Sequence, residues 1–230
     1  MLVLAVDTSG IVGSLAVLKN DDILGVVSTS SDEAYSSRLF RQLEFLLAEL
    51  KLGLPQFDLY AVSAGPGSFT GLRVGLAAVK GWAEVYERPI AAVSALEAVA
   101  YQAHVASGFV ASVLDGRRGQ IFGSLCVAES SGLRVIVPAC VLGPGEFLAA
   151  VEEHVGHHDL TISTPAPEII QSALAQSKVA ARVVKVSPVL APSIGCVGIQ
   201  RAARGELTTA LELDANYIRR SDAEVLWKAQ

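Results

Sequence analysis

The residues with the clearest chemical potential form the run Gly65-Pro66-Gly67-Ser68-Phe69-Thr70-Gly71-Leu72-Arg73-Val74-Gly75, between a strand-like and a helix-like segment. So many glycines at a strand-to-helix turn need a reason, and two nucleotide-binding motifs ask for this setting. Neither is satisfied. A dinucleotide fingerprint requires glycine where Thr70 stands, and a Walker A loop requires a Gly-Lys-Ser/Thr triplet that does not occur. Ser68 directly follows Gly67, which breaks the G-x-S-x-G pattern of a nucleophile elbow, so capping of the helix by Ser68 or Thr70 is the better reading. Asp7, followed by Thr8 and Ser9 at the end of the first strand, suits a phosphate, a metal or the capping of its own turn.

The remaining polar groupings have structural explanations. Glu153, His154, His157, His158 and Asp159 follow neither H-E-x-x-H nor its inverse and read as a solvated helix end. Asp115-Gly116-Arg117-Arg118 suits a phosphate contact or a tight hairpin with exposed arginines. Cys126, Cys140 and Cys196 are widely spaced and include no C-x-x-C pair, so they read as free thiols rather than a disulfide or zinc set.

Composition narrows the classes. Of 230 residues, 51% are hydrophobic and 18% charged, and the net charge is −5. An acidic chain of this kind is unsuited to binding nucleic acid by itself, because phosphate neutralisation calls for a basic face. Its mean hydropathy of +0.45 suggests apolar surface covered by a partner rather than by water. Met1 to Val6 lacks a basic leader, meets Asp7 at once and reads as a buried strand; the stretch from Ala98 to Leu114 is too interrupted to span a bilayer. A cytoplasmic protein is expected.

The elements that must position these residues follow from periodicity. Leu2 to Asp7, Gly13 to Leu18 and Ile23 to Val27 are strand-like and separated by turn residues. From Glu33 to Lys51, Leu39, Leu43, Leu46, Leu47 and Leu50 recur at helical spacing opposite Arg41, Gln42, Glu44 and Glu49. A strand from Phe57, a helix from Ser68 to Tyr86, a strand at Ile90 to Ser94 and a helix at Leu96 to Ala106 follow. The second half repeats this order with strands at Phe109 to Asp115, Gln120 to Val127 and Leu133 to Val137, then alternating helices and strands to Arg204. The expectation is an α/β chain of two lobes with duplicated βββαβα order, residues 1–107 and 108–230, hinged near Ser107-Gly108. Asp214 to Arg220 is expected to pack back on a lobe.

A helical wheel places Gly71, Gly75, Ala78 and Trp82 on one face of the second helix, Leu72, Leu76, Val79 and Ala83 on another, and Arg73, Lys80 and Glu84 on a third. The leucine face suits a sheet. The smooth glycine face suits close approach by another helix, either within the lobe or across an oligomer interface.

The run GPGSFTGLRVG resembles the TsaB (YeaZ) family, and so do Val6-Asp7-Thr8-Ser9, Leu114-Asp115-Gly116-Arg117-Arg118-Gly119 and Tyr217-Ile218-Arg219. The resemblance implies a two-lobe actin-like (ASKHA) fold and a part in making threonylcarbamoyladenosine beside the tRNA anticodon. It implies a non-catalytic scaffold or activator that pairs with the catalytic relative TsaD and supports binding of the small ATPase TsaE, with a homodimer when alone, tRNA reached only through the complex, and no cofactor. Ala95 and Val99 stand where the catalytic relative carries a metal-binding histidine pair, so that site is expected to be missing. The implied partner interface is Tyr35, Ser36, Leu39, Phe69, Gly71, Leu72, Gly75, Ala78 and Trp82. Tyr35-Ser36 stands where the family commonly has His-Ser, and Ser163-Thr164-Pro165-Ala166-Pro167 replaces a glycine-rich turn of the smaller lobe. The rival expectation, from the kinases that share such a fold, is a stand-alone ATP-dependent phosphotransferase.

Overall fold

The computed structural model describes residues 1–20, 22–130 and 132–218, which form two compact units. The first begins with β1 (Leu2–Asp7), β2 (Val12–Lys19) and β3 (Asp22–Ser30), followed by α1 (Tyr35–Leu50), β4 (Leu59–Gly65), α2 (Phe69–Tyr86), β5 (Ile90–Ser94) and α3 (Ala95–Tyr101). Its sheet has the order β3-β2-β1-β4-β5, with β1 antiparallel to β2 and parallel to β4. Central β1 and β4 are buried along nearly their whole length and therefore read as unbroken apolar runs, whereas edge strand β3 alternates between half-buried and exposed positions. Helix α1 buries Leu39, Leu43 and Leu46 and stops at Lys51, whose left-handed backbone returns its N–H to Ala48 and Leu47.

The second unit repeats the plan. Strands β6 (Gly108–Arg117), β7 (Gln120–Glu129) and β8 (Gly132–Leu142) lead to α4 (Pro144–Val155), β9 (Leu160–Thr164), α5 (Glu168–Gln176) and β10 (Arg182–Lys185), after which the chain returns to the first unit as α6 (Ala191–Arg204). The order β10-β9-β6-β7-β8, with β6 antiparallel to β7 and parallel to β9, is the first sheet's order read from the other end. The duplicated βββαβα order is thus present as sheet topology.

The division of the chain differs from the expected boundary at 107/108. Residues Met1–Ala98 and Val189–Tyr217 form the first unit, and Val99–Pro188 belongs to the second. The reason is α6, whose glycines let it lie directly on the first sheet. A Cβ on Gly198 would stand 2.9 Å from that of Ala61 and 3.2 Å from that of Ala91, and one on Gly195 would strike Leu18. Polar contacts fix the same placement: the Ala191 amide donates to Ser14 Oγ at 3.0 Å, and Arg201 donates to the Ala92 carbonyl and to Glu97, both at 2.6 Å. Val99 and Ala100 of α3 pack in the second unit, where the Ser163 hydroxyl donates to the Val99 carbonyl at 2.7 Å.

After α6 the chain returns along the first sheet, as expected of the segment from Asp214. Thr208 exchanges backbone hydrogen bonds with Ile90, Leu213 is buried in the core, and the Asn216 amide donates to the Ala64 carbonyl at 2.7 Å. Arg219 and Arg220 lie outside the described residues.

A direct test of the α6 placement is Gly198→Val, which should destabilise the chain by about 1–3 kcal/mol through overpacking against Ala61 and Ala91. Urea unfolding measures it; wild-type stability in the variant would show that α6 does not rest on β4 and β5.

Candidate functional site

The glycine run is held by its own chain. Gly65 has φ +106, a conformation glycine favours, and a Cβ there would lie 2.9 Å from the Asn216 carbonyl oxygen. Ser68 caps α2, its hydroxyl accepting from the Gly71 amide at 3.3 Å, while its own amide donates to the Ser9 carbonyl at 2.7 Å. Thr8 Oγ1 donates to the Gly71 carbonyl at 2.8 Å. A Cβ on Gly67 would strike Ser9, one on Gly71 the Thr8 carbonyl, and one on Gly75 the Thr8 side chain. The smooth face of α2 therefore receives the turn between β1 and β2. This corrects the expectation that a second helix docks there: a side chain at Gly75 meets Thr8 of the same chain before any partner.

The predicted interface residues divide accordingly. Gly71, Gly75, Leu39 and Leu72 are buried inside the unit, Leu72 with 1% of its surface exposed. Ala78 and Trp82 are buried in the core as well, Tyr35 and Phe69 are half-buried, and Ser36 is exposed. Tyr35 turns inward, its hydroxyl donating to the Gly10 carbonyl at 2.6 Å and its ring lying 4.0 Å from the Arg38 guanidinium. Burial pushes its phenol up to about 12. Arg38 is itself buried and donates to Thr29 Oγ1 at 2.7 Å and to the Thr29 and Ile11 carbonyls. It joins α1 to β3 and to the turn before β2.

The outward faces of α1 and α2 carry a different set. Phe40 of α1 is 53% exposed and sits edge-on to Trp82, with ring centroids 6.4 Å apart; Val85 of α2 is 72% exposed. Phe45, Ala77 and Gly81 are exposed as well, and nothing lies within 4 Å of a Cβ built on Gly81. Two signals could have found these. Phe40 falls among the polar residues of α1, and Ala77 and Gly81 lie on the wheel just beyond Arg73 and Glu84, continuing the polar face.

Asp7 dominates the electrostatics. It is 1% exposed; Oδ1 accepts from the Ser9 amide at 3.0 Å and the Ser9 hydroxyl at 2.6 Å, while Oδ2 has no hydrogen-bond partner. Burial pushes its pKa up to about 6, opposed by the Ser9 bonds and the nearby Ser63 hydroxyl. Of the readings left open for Asp7, turn capping is the one seen in the geometry. Among the described residues no group of three or more His, Cys, Asp or Glu is placed to hold a metal. At the other hairpin, Asp115 Oδ1 accepts from the Arg117 amide at 2.7 Å. Arg117 and Arg118 are exposed there with left-handed backbones. No helix is long and apolar enough to cross a membrane among the described residues.

Comparison with known proteins gives these features a context. Residues 14–225 match the TsaD family, described as tRNA N6-adenosine threonylcarbamoyltransferase. The chain is 31% identical over 138 residues to the tRNA threonylcarbamoyladenosine biosynthesis protein TsaB of Bacillus subtilis. The match covers 60% of this chain, which spans 60% of that relative's length. A crystal structure of a Pseudomonas aeruginosa protein with similarity to peptidase YeaZ superposes with TM-score 0.79 and 25% identity, covering 95% of this chain and 99% of that one. A polyphosphate/ATP-glucomannokinase from Arthrobacter, 11% identical, superposes with TM-score 0.54 over 88% of this chain and 99% of that one. The kinase shares the fold, which is the expected two-lobe actin-like architecture.

The buried carboxylate, with only one oxygen satisfied, makes stability depend on pH. Because folding raises the Asp7 pKa, the folded state binds the extra proton, and stability falls as pH rises from the ordinary carboxylate range through about 6. Asp7→Asn keeps the acceptor for Ser9 and removes the buried charge, so it should stabilise the chain at pH 7.5 by about 1–3 kcal/mol and flatten that pH dependence. Urea unfolding at pH 5 and 7.5 measures both; a less stable variant at pH 7.5 would mean that the charge is compensated.

Proposed function

Because the chain belongs to the TsaD family, on its TsaB/YeaZ branch, we propose that it acts in forming threonylcarbamoyladenosine on tRNA as a non-catalytic subunit. In this reading it docks a TsaD-type catalytic subunit through the outer faces of α1 and α2, and the pair recruits the small ATPase TsaE. Alone, the same faces serve a homodimer, and tRNA is reached through the assembled complex.

The observation that carries the reading is the pair of exposed apolar residues Phe40, which meets Trp82 of α2, and Val85, with Ala77 and Gly81 giving α2 an outer surface that another backbone can approach closely. Two further features support a docking role over chemistry. The glycine run is filled by Thr8 and Ser9, the Ser9 carbonyl takes the Ser68 amide, and Oδ1 of Asp7 is committed to Ser9. Ala95 and Val99 also stand at the positions that the resemblance assigns to metal-binding histidines.

The docking face differs from the one first expected, so it has its own test. Val85→Glu and Phe40→Glu place a charge on exposed positions and should leave the melting temperature near wild type, because surface changes of this kind shift stability by about 0.5 kcal/mol or less. Burying the new charge against a partner should weaken pairing with a TsaD-type subunit about tenfold or more. Light-scattering chromatography of the mixture reads the loss directly, and a reconstituted reaction scored for threonylcarbamoyladenosine should fall in step. Wild-type pairing by both variants would reject this face.

A further inference from the structure

We propose that Arg73 is the charge anchor of this docking face, a guanidinium held ready by Phe69 and Tyr217 to receive a carboxylate from the partner protein. The inference rests on the docking reading above and specifies its chemistry. Arg73 is exposed, one helical turn before Ala77 on the outer ridge that continues to Gly81 and Glu84. Its guanidinium lies 3.9 Å from the Phe69 ring centroid and 5.9 Å from that of Tyr217, and Nε donates to the Tyr217 hydroxyl at 3.2 Å. The two rings pack on each other with centroids 4.8 Å apart.

Tyr217 is itself fixed from behind. Leu213 is buried in the core and the Asn216 amide is bonded to the Ala64 carbonyl, so the chain reaches α2 at a set place. That path runs close beside Gly65, where a Cβ would crowd the Asn216 carbonyl. Residues far apart in sequence thus build one support for a single cation.

What the support leaves free is the informative part. No carboxylate pairs with Arg73 among the described residues, a state it shares with Arg38, Arg88 and Arg182; what sets Arg73 apart is that an exposed guanidinium is held against an aromatic ring. Its terminal nitrogens remain available on the side away from Nε, with the geometry for a two-bond contact to a carboxylate. Stacking on Phe69 and the hydrogen bond to Tyr217 have already restricted the side chain, so binding loses little further entropy. Helix α2 has no acidic residue in its first turn, and the partial positive charge of its N-terminal end adds to that of Arg73. A phosphate would answer the same charge. The neighbouring Ala77 and Gly81 and the net charge of −5 favour a protein surface over a nucleic acid.

The test uses the full chain with its TsaD-type subunit, measuring affinity by titration calorimetry at low and high salt. Arg73→Gln should weaken pairing about tenfold or more, and Arg73→Glu further. Arg73→Lys should recover part of the loss as a single-point cation. Tyr217→Phe keeps the ring, loses the acceptor for Nε and should cost less than Arg73→Gln. Salt should weaken wild-type pairing more than pairing by the Gln variant, a difference that a merely structural stack would not produce. Melting curves serve as the control for folding. Wild-type pairing by the Gln and Glu variants overturns the proposal while leaving the docking face intact. So does a loss confined to tRNA binding by the complex, which would assign Arg73 to a phosphate. A wild-type chain that does not pair overturns the docking reading and this one with it.

Discussion

The first unit is arranged around the approach of the Thr8–Ser9 turn to the backbone of α2. Contact that close requires positions without a Cβ on the side of α2 that meets the turn, and Gly67, Gly71 and Gly75 supply them. With the turn seated, the Ser68 amide finds the Ser9 carbonyl and the Thr8 hydroxyl finds the Gly71 carbonyl. Those contacts set the rotation of α2, bringing Leu72, Leu76 and Val79 onto the sheet and leaving Arg73, Ala77, Gly81 and Glu84 facing solvent. The turn also needs its own support, which Asp7 gives by accepting both Ser9 donors. The cost is a carboxylate with one oxygen buried and unpartnered.

Much of this architecture was legible in the sequence because it is periodic. Short aliphatic runs separated by turn residues identified β1 to β3, and leucines at helical spacing identified α1, because burial of one face leaves a period in the chain. The duplicated order of elements was legible for the same reason. Which sheet a helix covers has no such period. α6 follows β10 in the chain, yet Gly195 and Gly198 fit it to Leu18, Ala61 and Ala91, residues that no local pattern connects to it. The expected boundary at 107/108 failed there.

The site was half legible. The wheel gave the faces of α2 and the sheet beneath its leucines correctly and the neighbour of the glycine strip wrongly, since such a strip records that something approaches closely and not what. Asp7, with Thr8 and Ser9 after it, was read as suiting a phosphate, a metal or its own turn, whereas Thr8 and Ser9 are the object that the glycines accommodate. Phe40 and Val85 were missed although each stands on a polar face, because a single apolar residue there is common and such a signal gains weight only beside others. Tyr217 meeting Phe69 and Arg73 is a tertiary fact with no local trace.

The two sides of α2 separate two kinds of failure in one short motif. Inward positions such as Gly71 and Gly75 hold the unit together, and a side chain there collides with the turn. Outward positions such as Arg73, Ala77 and Gly81 make few contacts that the isolated fold depends on. The same run of sequence therefore answers to two pressures, packing against its own turn and complementarity to another molecule. Fold and docking surface are built on one rigid helix, which is the arrangement that holds binding groups most accurately. It also explains why Arg73 needs Tyr217. A helix fixes where a long side chain begins but leaves its end free, and only a support from outside the helix can fix the guanidinium. The returning C-terminal segment supplies it, so the chain's last described residues belong to the same surface as the glycine run.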